Sequence, residues 1–329
     1  MQAQDLQVLA RLREWLTDGR RAYLCTITGT YGSSPRPIGS LMACSDRGEM
    51  IGSLSGGCVE DDLLESLRSG DLVTQTPQRL SYGLQASDTE RLGLPCGGSL
   101  EIVVEQLDPG RELIDHFTRI IDALDARRCI QRTVALASNL APTLEDVTHY
   151  RTPCVEEDST GSARLVHTYG PRRQLFLIGA GMVSRFLADM AMALDFDVTV
   201  CDPRHTMIEQ WTLAGVRTVC AMPDDAIREQ ASDARTAIIA LTHVPRIDDM
   251  GLLEALETEA FYVGAMGSMT TSNARRARLK ALDVSAAAIA RLHAPVGIAI
   301  GSKTPAEIAI SILAELTREI RDADAATVS

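Results

Sequence analysis

The sequence predicts an α/β protein in two parts: a doubly wound parallel sheet in the second half, preceded by a smaller α+β domain. Three observations carry this. Beyond Arg173 short apolar runs alternate with helical stretches, and strands alternating with helices imply a parallel sheet with crossover connections. The first of those runs ends in a turn holding Gly179 and Gly181 and leading into a helix. Ahead of Asn139 the apolar runs instead crowd together, joined by turns such as Asp46-Arg47-Gly48-Glu49. At 329 residues the chain exceeds one ordinary core. The boundaries read as an N-terminal domain over 1–140, a join over 141–172 and a second domain over 173–329.

The elements follow in order. Residues 5–18 form an amphipathic helix with Leu6, Leu9, Leu12 and Leu16 on one side and Gly19 at its end. Strands are expected at 22–28, 40–45 and 50–55, then a helix at 59–68 with Glu60, Asp61 and Asp62 in its first turn, where acidic groups suit the helix dipole. A strand at 100–107, a helix at 112–124 and a strand at 131–137 complete the first part. Residues 139–173 mix Pro, Asp, Glu, Ser and Gly without a clear period and are read as the join, with room for one or two short strands. The second part runs strand 175–178, helix 183–194 and strand 198–201, then strands at 216–220, 237–241 and 261–263 separated by helices. Thr304 as N-cap, Pro305 at the first helical position and Glu307 closing a capping box start a last helix that runs to about Ile320.

A net charge of −12 argues against a general nucleic-acid or anionic-membrane binder, which would need a basic face. No apolar stretch approaches the roughly 20 residues of a membrane span. Met1-Gln2-Ala3-Gln4-Asp5 has no basic and apolar leader pattern, so a cytoplasmic protein with reduced thiols is expected. The eight cysteines are scattered and include no Cys-x-x-Cys, so neither a disulfide framework nor a local zinc motif is indicated.

Chemistry concentrates in four places. Ser55-Gly56-Gly57-Cys58-Val59-Glu60 and Pro95-Cys96-Gly97-Gly98-Ser99 each set one thiol beside two glycines at the junction of two elements. Cys58 heads a helix, which favours the thiolate, while Glu60, Asp61 and Asp62 oppose it. Each thiol is read as a ligand or nucleophile, with a packed core cysteine as the alternative; Cys25, Cys44, Cys129, Cys201 and Cys220 lie on apolar runs and read as buried. Between prolines, Arg36 is aimed either at an anion or at a nearby carboxylate. Strand, Gly179-Ala180-Gly181, helix and an acid about twenty residues on make a dinucleotide fingerprint of the Rossmann type. Gly179 allows the turn, Gly181 lets a pyrophosphate approach the helix, and Asp202 is placed for a ribose hydroxyl, with Ser184 where a third glycine is usual. The loops Gly264–Ser268 and Gly297–Lys303 are candidate anion cradles, with Gly267, Lys303 and Arg204 contributing, or plain connecting loops. His243 and His293 fall where a site would lie and gather into no metal signature.

Residues 29–39, 55–60 and 96–101 resemble the N-terminal domain of the XdhC/CoxI family, accessory factors of xanthine dehydrogenase and related molybdenum hydroxylases. Residues 178–181, Asp202, Thr242-His243, 261–268 and 293–310 resemble that family's Rossmann domain, so the likeness covers nearly the whole chain. It implies a protein that binds a molybdopterin-type molybdenum cofactor, holds it for sulfuration and delivers it to the apo hydroxylase. Under that resemblance Cys58 and Cys96 are the thiols contacting cofactor or molybdenum. Arg36, Ser55, Gly56, Gly57, Gly97, Gly98, Gly179, Gly181, Asp202, Arg204, His243, Gly267 and Lys303 are then the cofactor-binding set. A cysteine desulfurase and a homodimeric state are the further partners expected. Met182, Ser184, Val244 and Ala299 stand where the family often carries His, Gly, Asp and an acid. Two other functions compete. One is an NAD(P)-dependent oxidoreductase of a small molecule, with His243, Tyr262 or Lys303 as proton donor; the other is an assembly scaffold that holds no cofactor.

Overall fold

The computed structural model describes residues 1–32, 36–69, 75–83 and 99–328, and the chain divides into two compact units, Met1–Pro171 and Arg172–Ser329. Among the described residues, no helix is long and apolar enough to cross a membrane.

Unit 1 contains α1 (Ala3–Thr17), β1 (Ala22–Tyr31), β2 (Leu41–Ser45), β3 (Met50–Gly52), α2 (Cys58–Ser69), β4 (Gln78–Tyr82), β5 (Ser99–Leu107) and α3 (Arg111–Asp125). Their strands form an antiparallel sheet in the order β3-β2-β1-β5-β4. Strand alternation divides its side chains between two faces. Leu24, Leu41 and Ala43 meet Leu9, Leu12 and Leu16 of α1 and Phe117, Ile120 and Leu124 of α3. Cys25, Ile27, Met42, Ile102 and Val104 meet Val59 and Leu63 of α2. The sheet is therefore covered on both faces, and α2 is held by the strand residues whose parity is opposite to those under α1.

Residues 141–172, read from composition as a join, carry three strands. β7 (Thr143–Val147), β8 (Cys154–Glu157) and β9 (Ala163–Tyr169) pair with β6 (Cys129–Ala135) in an antiparallel sheet ordered β7-β6-β9-β8. Arg132 of β6 is fully buried and forks onto Glu105 of β5 at 2.7 and 2.9 Å, while its Nε donates to His116 Nε2 at 3.0 Å. Beside it, burial, reinforced by the Arg132 charge, pushes His116 and His167 down to about 3.

Unit 2 is a six-stranded parallel sheet of β10 (Gln174–Ile178), β11 (Asp197–Cys201), β12 (Arg217–Val219), β13 (Thr236–Ala240), β14 (Tyr262–Ala265) and β15 (Leu292–His293). Its order, β12-β11-β10-β13-β14-β15, is the doubly wound 3-2-1-4-5-6 arrangement, with the switch point between β10 and β13. One face, with Leu175, Leu177 and Ile239, packs on α4 (Met182–Ala193) and on α10 (Pro305–Val328). The other, with Phe176, Ile178, Ile238 and Val263, packs on α6 (Pro223–Gln230), α7 (Pro245–Ala255), α8 (Met269–Ala281) and α9 (Ala286–Ala290); the short α5 (His205–Glu209) follows β11. The expected capping box forms: Glu307 Oε2 accepts from the N–H of Thr304 at 2.9 Å, and Thr304 Oγ1 accepts from Glu307 N at 3.3 Å. The helix it starts runs past Ile320 to Val328.

Candidate functional site

In unit 1 the first glycine-cysteine element is a loop built around one carboxylate. Glu60, 4% exposed in the first turn of α2, turns back over the loop that precedes its own helix. Its Oε1 accepts from Ser53 Oγ, Leu54 N and Ser55 N at 2.8 Å each and from Gly56 N at 3.0 Å. Its Oε2 accepts from Ser55 Oγ at 2.5 Å and Gly57 N at 3.1 Å. Burial would push this carboxyl up, but the hydrogen bonds from Ser55, Gly56 and Ser53 outweigh it and hold it at about 2. The N–H groups of Ser55, Gly56 and Gly57, expected to meet a cofactor, are thus engaged by Glu60, because converging donors at a helix start need an anion and this one is covalently at hand. Cys58 opens α2 with its backbone fixed by that loop, and its side chain lies outside the described residues. Cys96, Gly97 and Gly98 also lie outside the described residues.

Arg36 takes the carboxylate alternative. Its guanidinium lies 3.6 Å from Asp5 Oδ1, and Asp5 is buried and accepts from Leu41 N and Gln2 N at 3.0 Å each.

In unit 2 the switch point is formed by the turn after β10. Gly179 has φ +104°, and a Cβ there would lie 2.6 Å from Thr242 Cγ2, so both the turn and the close approach of the β13 loop require glycine. Gly181 is the N-cap of α4 and offers no side-chain cap. Ser184, in place of a third glycine, is buried and donates to Gly179 O at 2.5 Å, so its hydroxyl is absorbed by the turn it crowds. Asp202 sits at the end of β11 as expected, but its oxygens are filled: Ala180 N donates at 2.9 Å, Arg204 N at 3.0 Å, Arg204 Nε at 2.8 Å and a terminal nitrogen of Arg204 at 2.7 Å. Burial raises this carboxyl, and the hydrogen bonds from Arg204 and Ala180 more than reverse it. A ribose hydroxyl reaching Asp202 would have to displace Arg204.

The two other glycine loops are closed by their own helices. Ser268 caps α8, accepting from Thr271 N at 3.1 Å, just beyond Gly267, and the Lys303 N–H donates to Glu307 Oε2 at 2.7 Å. The Lys303 and His243 side chains are exposed. Beneath the Thr242 loop lies a buried network that sequence reasoning missed. Asp248 Oδ1 accepts from Thr242 Oγ1 at 2.7 Å, and its Oδ2 from Arg275 at 2.9 Å, while Arg275 also donates to Met266 O at 3.0 Å. This ties the loops after β13 and β14 together.

A second network, also missed, closes the far edge of the sheet. Glu315 of α10 accepts from Tyr262 OH at 2.7 Å and Gly297 N at 2.5 Å on Oε2, and faces His293 Nδ1 at 3.0 Å on Oε1. The Tyr262 and His293 rings stack at 4.3 Å. Tyr262 is buried with its hydroxyl pinned to Glu315, which pushes its ionisation far up and removes it as a proton donor for an oxidoreductase. His293, Glu315 and Glu319 are close enough to share a cation, yet Arg318 already lies 3.0 Å from Glu319 and 3.7 Å from Glu315. The signal for these groups was present: Glu60, Asp248 and Glu315 stand three or four residues from Leu63, Leu252 and Ile312, on the helix faces that pack inward. Cys25, Cys44 and Cys201 are buried as expected, whereas Cys129 at the start of β6 is only half-buried and Cys220 is exposed, because the strand expected over 216–220 ends at Val219.

Comparison with known proteins places both units. The model for the XdhC and CoxI family matches residues 15–83, and that for the XdhC Rossmann domain matches residues 175–316; together they span more than half of the chain. A probable xanthine dehydrogenase subunit from Bacillus subtilis is 26% identical over 92% of this chain and 94% of its own length. The molybdenum cofactor insertion chaperone PaoD of Escherichia coli is 26% identical over 92% of this chain and 85% of its own length. A crystal structure described as a xanthine dehydrogenase from Bacillus halodurans superposes with a TM-score of 0.71 at 27% identity, covering 97% of this chain and 96% of that one.

Proposed function

We propose that this chain, which belongs to the XdhC and CoxI family, binds a molybdopterin-type molybdenum cofactor and delivers it to a xanthine dehydrogenase-type molybdenum hydroxylase. The observation that carries the reading is the loop Ser53–Gly57, fixed by six hydrogen bonds to Glu60 at the head of the helix that Cys58 opens. A loop pinned in this way presents its first helical residue without further ordering, which lowers the entropic cost of engaging a ligand. Thiolate is a soft ligand suited to a sulfur-bound metal centre, and Cys58 and Cys96 are the residues assigned to it. Relatives named as a molybdenum cofactor insertion chaperone and as part of a xanthine dehydrogenase support the same direction. The client is an apo molybdenum hydroxylase; a cysteine desulfurase and a second copy of this chain are the further partners assigned.

The test is to mix anaerobic protein with isolated molybdenum cofactor, remove free cofactor, and measure retained molybdenum and pterin for the wild type and Cys58→Ala. Stoichiometric retention by the wild type, lost in the variant, is expected. No retention by either overturns the reading.

A second reading, nicotinamide binding in unit 2, is favoured by the strand order and by Gly179 and Gly181 at the switch point. Arg204 spread over Asp202 makes a phosphorylated ribose the better match, so NADPH should bind more tightly than NADH if either binds.

A further inference from the structure

We propose that His293 Nε2 is a ligand-binding atom of unit 2, accepting a hydrogen bond from an N–H group of a planar nitrogen heterocycle, and that Glu315 is the residue that positions it. The inference deepens the cofactor-carrier reading and rests on it, since the pterin ring of such a cofactor presents N–H donors.

Two segments distant from α10 in sequence, at Tyr262 and at residues 293–297, close around one carboxylate. Glu315 is 7% exposed, and its Oε2 is saturated by Tyr262 OH at 2.7 Å and Gly297 N at 2.5 Å. Burial pushes the carboxyl up, but the hydrogen bonds from Tyr262, His293 and Gly297 hold it below its usual range, so it is an anion and an acceptor only. The 3.0 Å contact from Oε1 to His293 Nδ1 therefore places the proton on Nδ1. In the neutral ring that leaves Nε2 with a lone pair. Tyr262 stacks on the imidazole at 4.3 Å and 28°, so the ring is held at one edge and on one face. The His293 side chain remains 30% exposed, and no described residue bonds its Nε2.

The backbone is arranged for this contact. Gly297 has φ +96°, and a Cβ there would collide with Ser311 Oγ, so only glycine brings its N–H onto Glu315. Ser311 Oγ in turn donates to Ile298 O at 2.7 Å, and Ile298 N donates to Ser311 O at 3.2 Å, fastening the loop to α10. His293 ends β15, at the carboxyl end of the edge strand of the parallel sheet, two strands beyond β13 and the switch point.

The experiment uses the full chain labelled with 15N-histidine. Its ring nitrogen shifts are recorded free, with pterin alone, and with isolated molybdenum cofactor under anaerobic conditions. Across a pH series the neutral form of the His293 ring should carry its proton on Nδ1 with Nε2 bare, and Nε2 should move on addition of either probe. His293→Phe, which keeps a ring to stack on Tyr262, should weaken binding at least tenfold in a variant that retains the wild-type circular-dichroism spectrum, with a melting temperature lowered by the lost bond to Glu315. Glu315→Gln should give a mixture of tautomers. A proton on Nε2 in the neutral ring, an unmoved Nε2 resonance, or unchanged affinity in a folded His293→Phe each overturns the assignment. Cofactor retained by wild type and His293→Phe alike defeats this inference alone, whereas no retention by the wild type defeats the carrier reading with it.

Discussion

Glu60→Gln is the sharpest perturbation available in unit 1, because it keeps the shape of a side chain that receives six hydrogen bonds while removing its charge and turning one of its two accepting oxygens into a donor. The carboxyl is held at about 2 against an ordinary 4.5, and the group is 4% exposed, so solvent does little to screen it. That shift corresponds to roughly 3 kcal/mol of stability at neutral pH. The folded-state value is depressed, so this contribution is complete above about 4.5 and drains away as pH falls toward about 2. The chain has two tryptophans, Trp15 in unit 1 and Trp211 in unit 2, so in a Trp211→Phe background urea unfolding followed by Trp15 fluorescence reads unit 1 alone. At pH 7 Glu60→Gln should lose about 2–3 kcal/mol, and the gap to wild type should shrink as pH is lowered below 4.5 and both side chains become neutral. A gap under about 0.5 kcal/mol at pH 7, or one that does not change with pH, would refute the claim that Glu60 organises the loop as an anion.

Gly179→Ala forces a Cβ into Thr242 at a positive φ and should lower the stability of unit 2 by about 2–4 kcal/mol, read from Trp211 fluorescence during urea unfolding, with little effect on Trp15. Glu105→Gln leaves the fully buried Arg132 without its anion and should cost unit 1 about 3–5 kcal/mol in the same assay. Because His116 and His167 are held at about 3, the unfolded chain binds their protons first; stability of unit 1 should fall as pH drops below 6.5, measured as the urea midpoint across pH 4–7.5. Burial pushes the thiols of Cys44 and Cys201 to about 12 and that of Cys25 well up, so native alkylation at pH 8 should label Cys220 and spare these three, as mass spectrometry of the quenched protein will show.

How far the sequence can be read depends on the range of the interactions involved. Periodicity and turn chemistry are local, so the helix of residues 5–18, the strand-glycine-helix turn at Gly179 and the capping box at Thr304 are legible from a few neighbours each. Residues 141–172 allow one or two short strands by composition but not the three found, because those strands gain their pairing from β6 and from each other, which no local window contains. The same holds for the sites. Motif spacing puts Asp202 at the end of β11, where it is found, yet only the structure shows that Arg204, two residues on, has already occupied it. In sequence Glu60 is a dipole-friendly residue of a first turn, whereas in the structure it is the internal anion of its own loop.

By itself the sequence determined that unit 2 is a doubly wound parallel sheet, because alternating strands and helices have few right-handed ways to pack; the strand order came from the structure. It also determined the placing of thiols beside glycines, which is covalent fact. Which polar groups are already satisfied was decided only by the tertiary structure. A carboxylate's partners are set by whatever folding brings within about 3 Å, and for Glu315 those are Tyr262, His293 and Gly297, between 18 and 53 positions away in the chain.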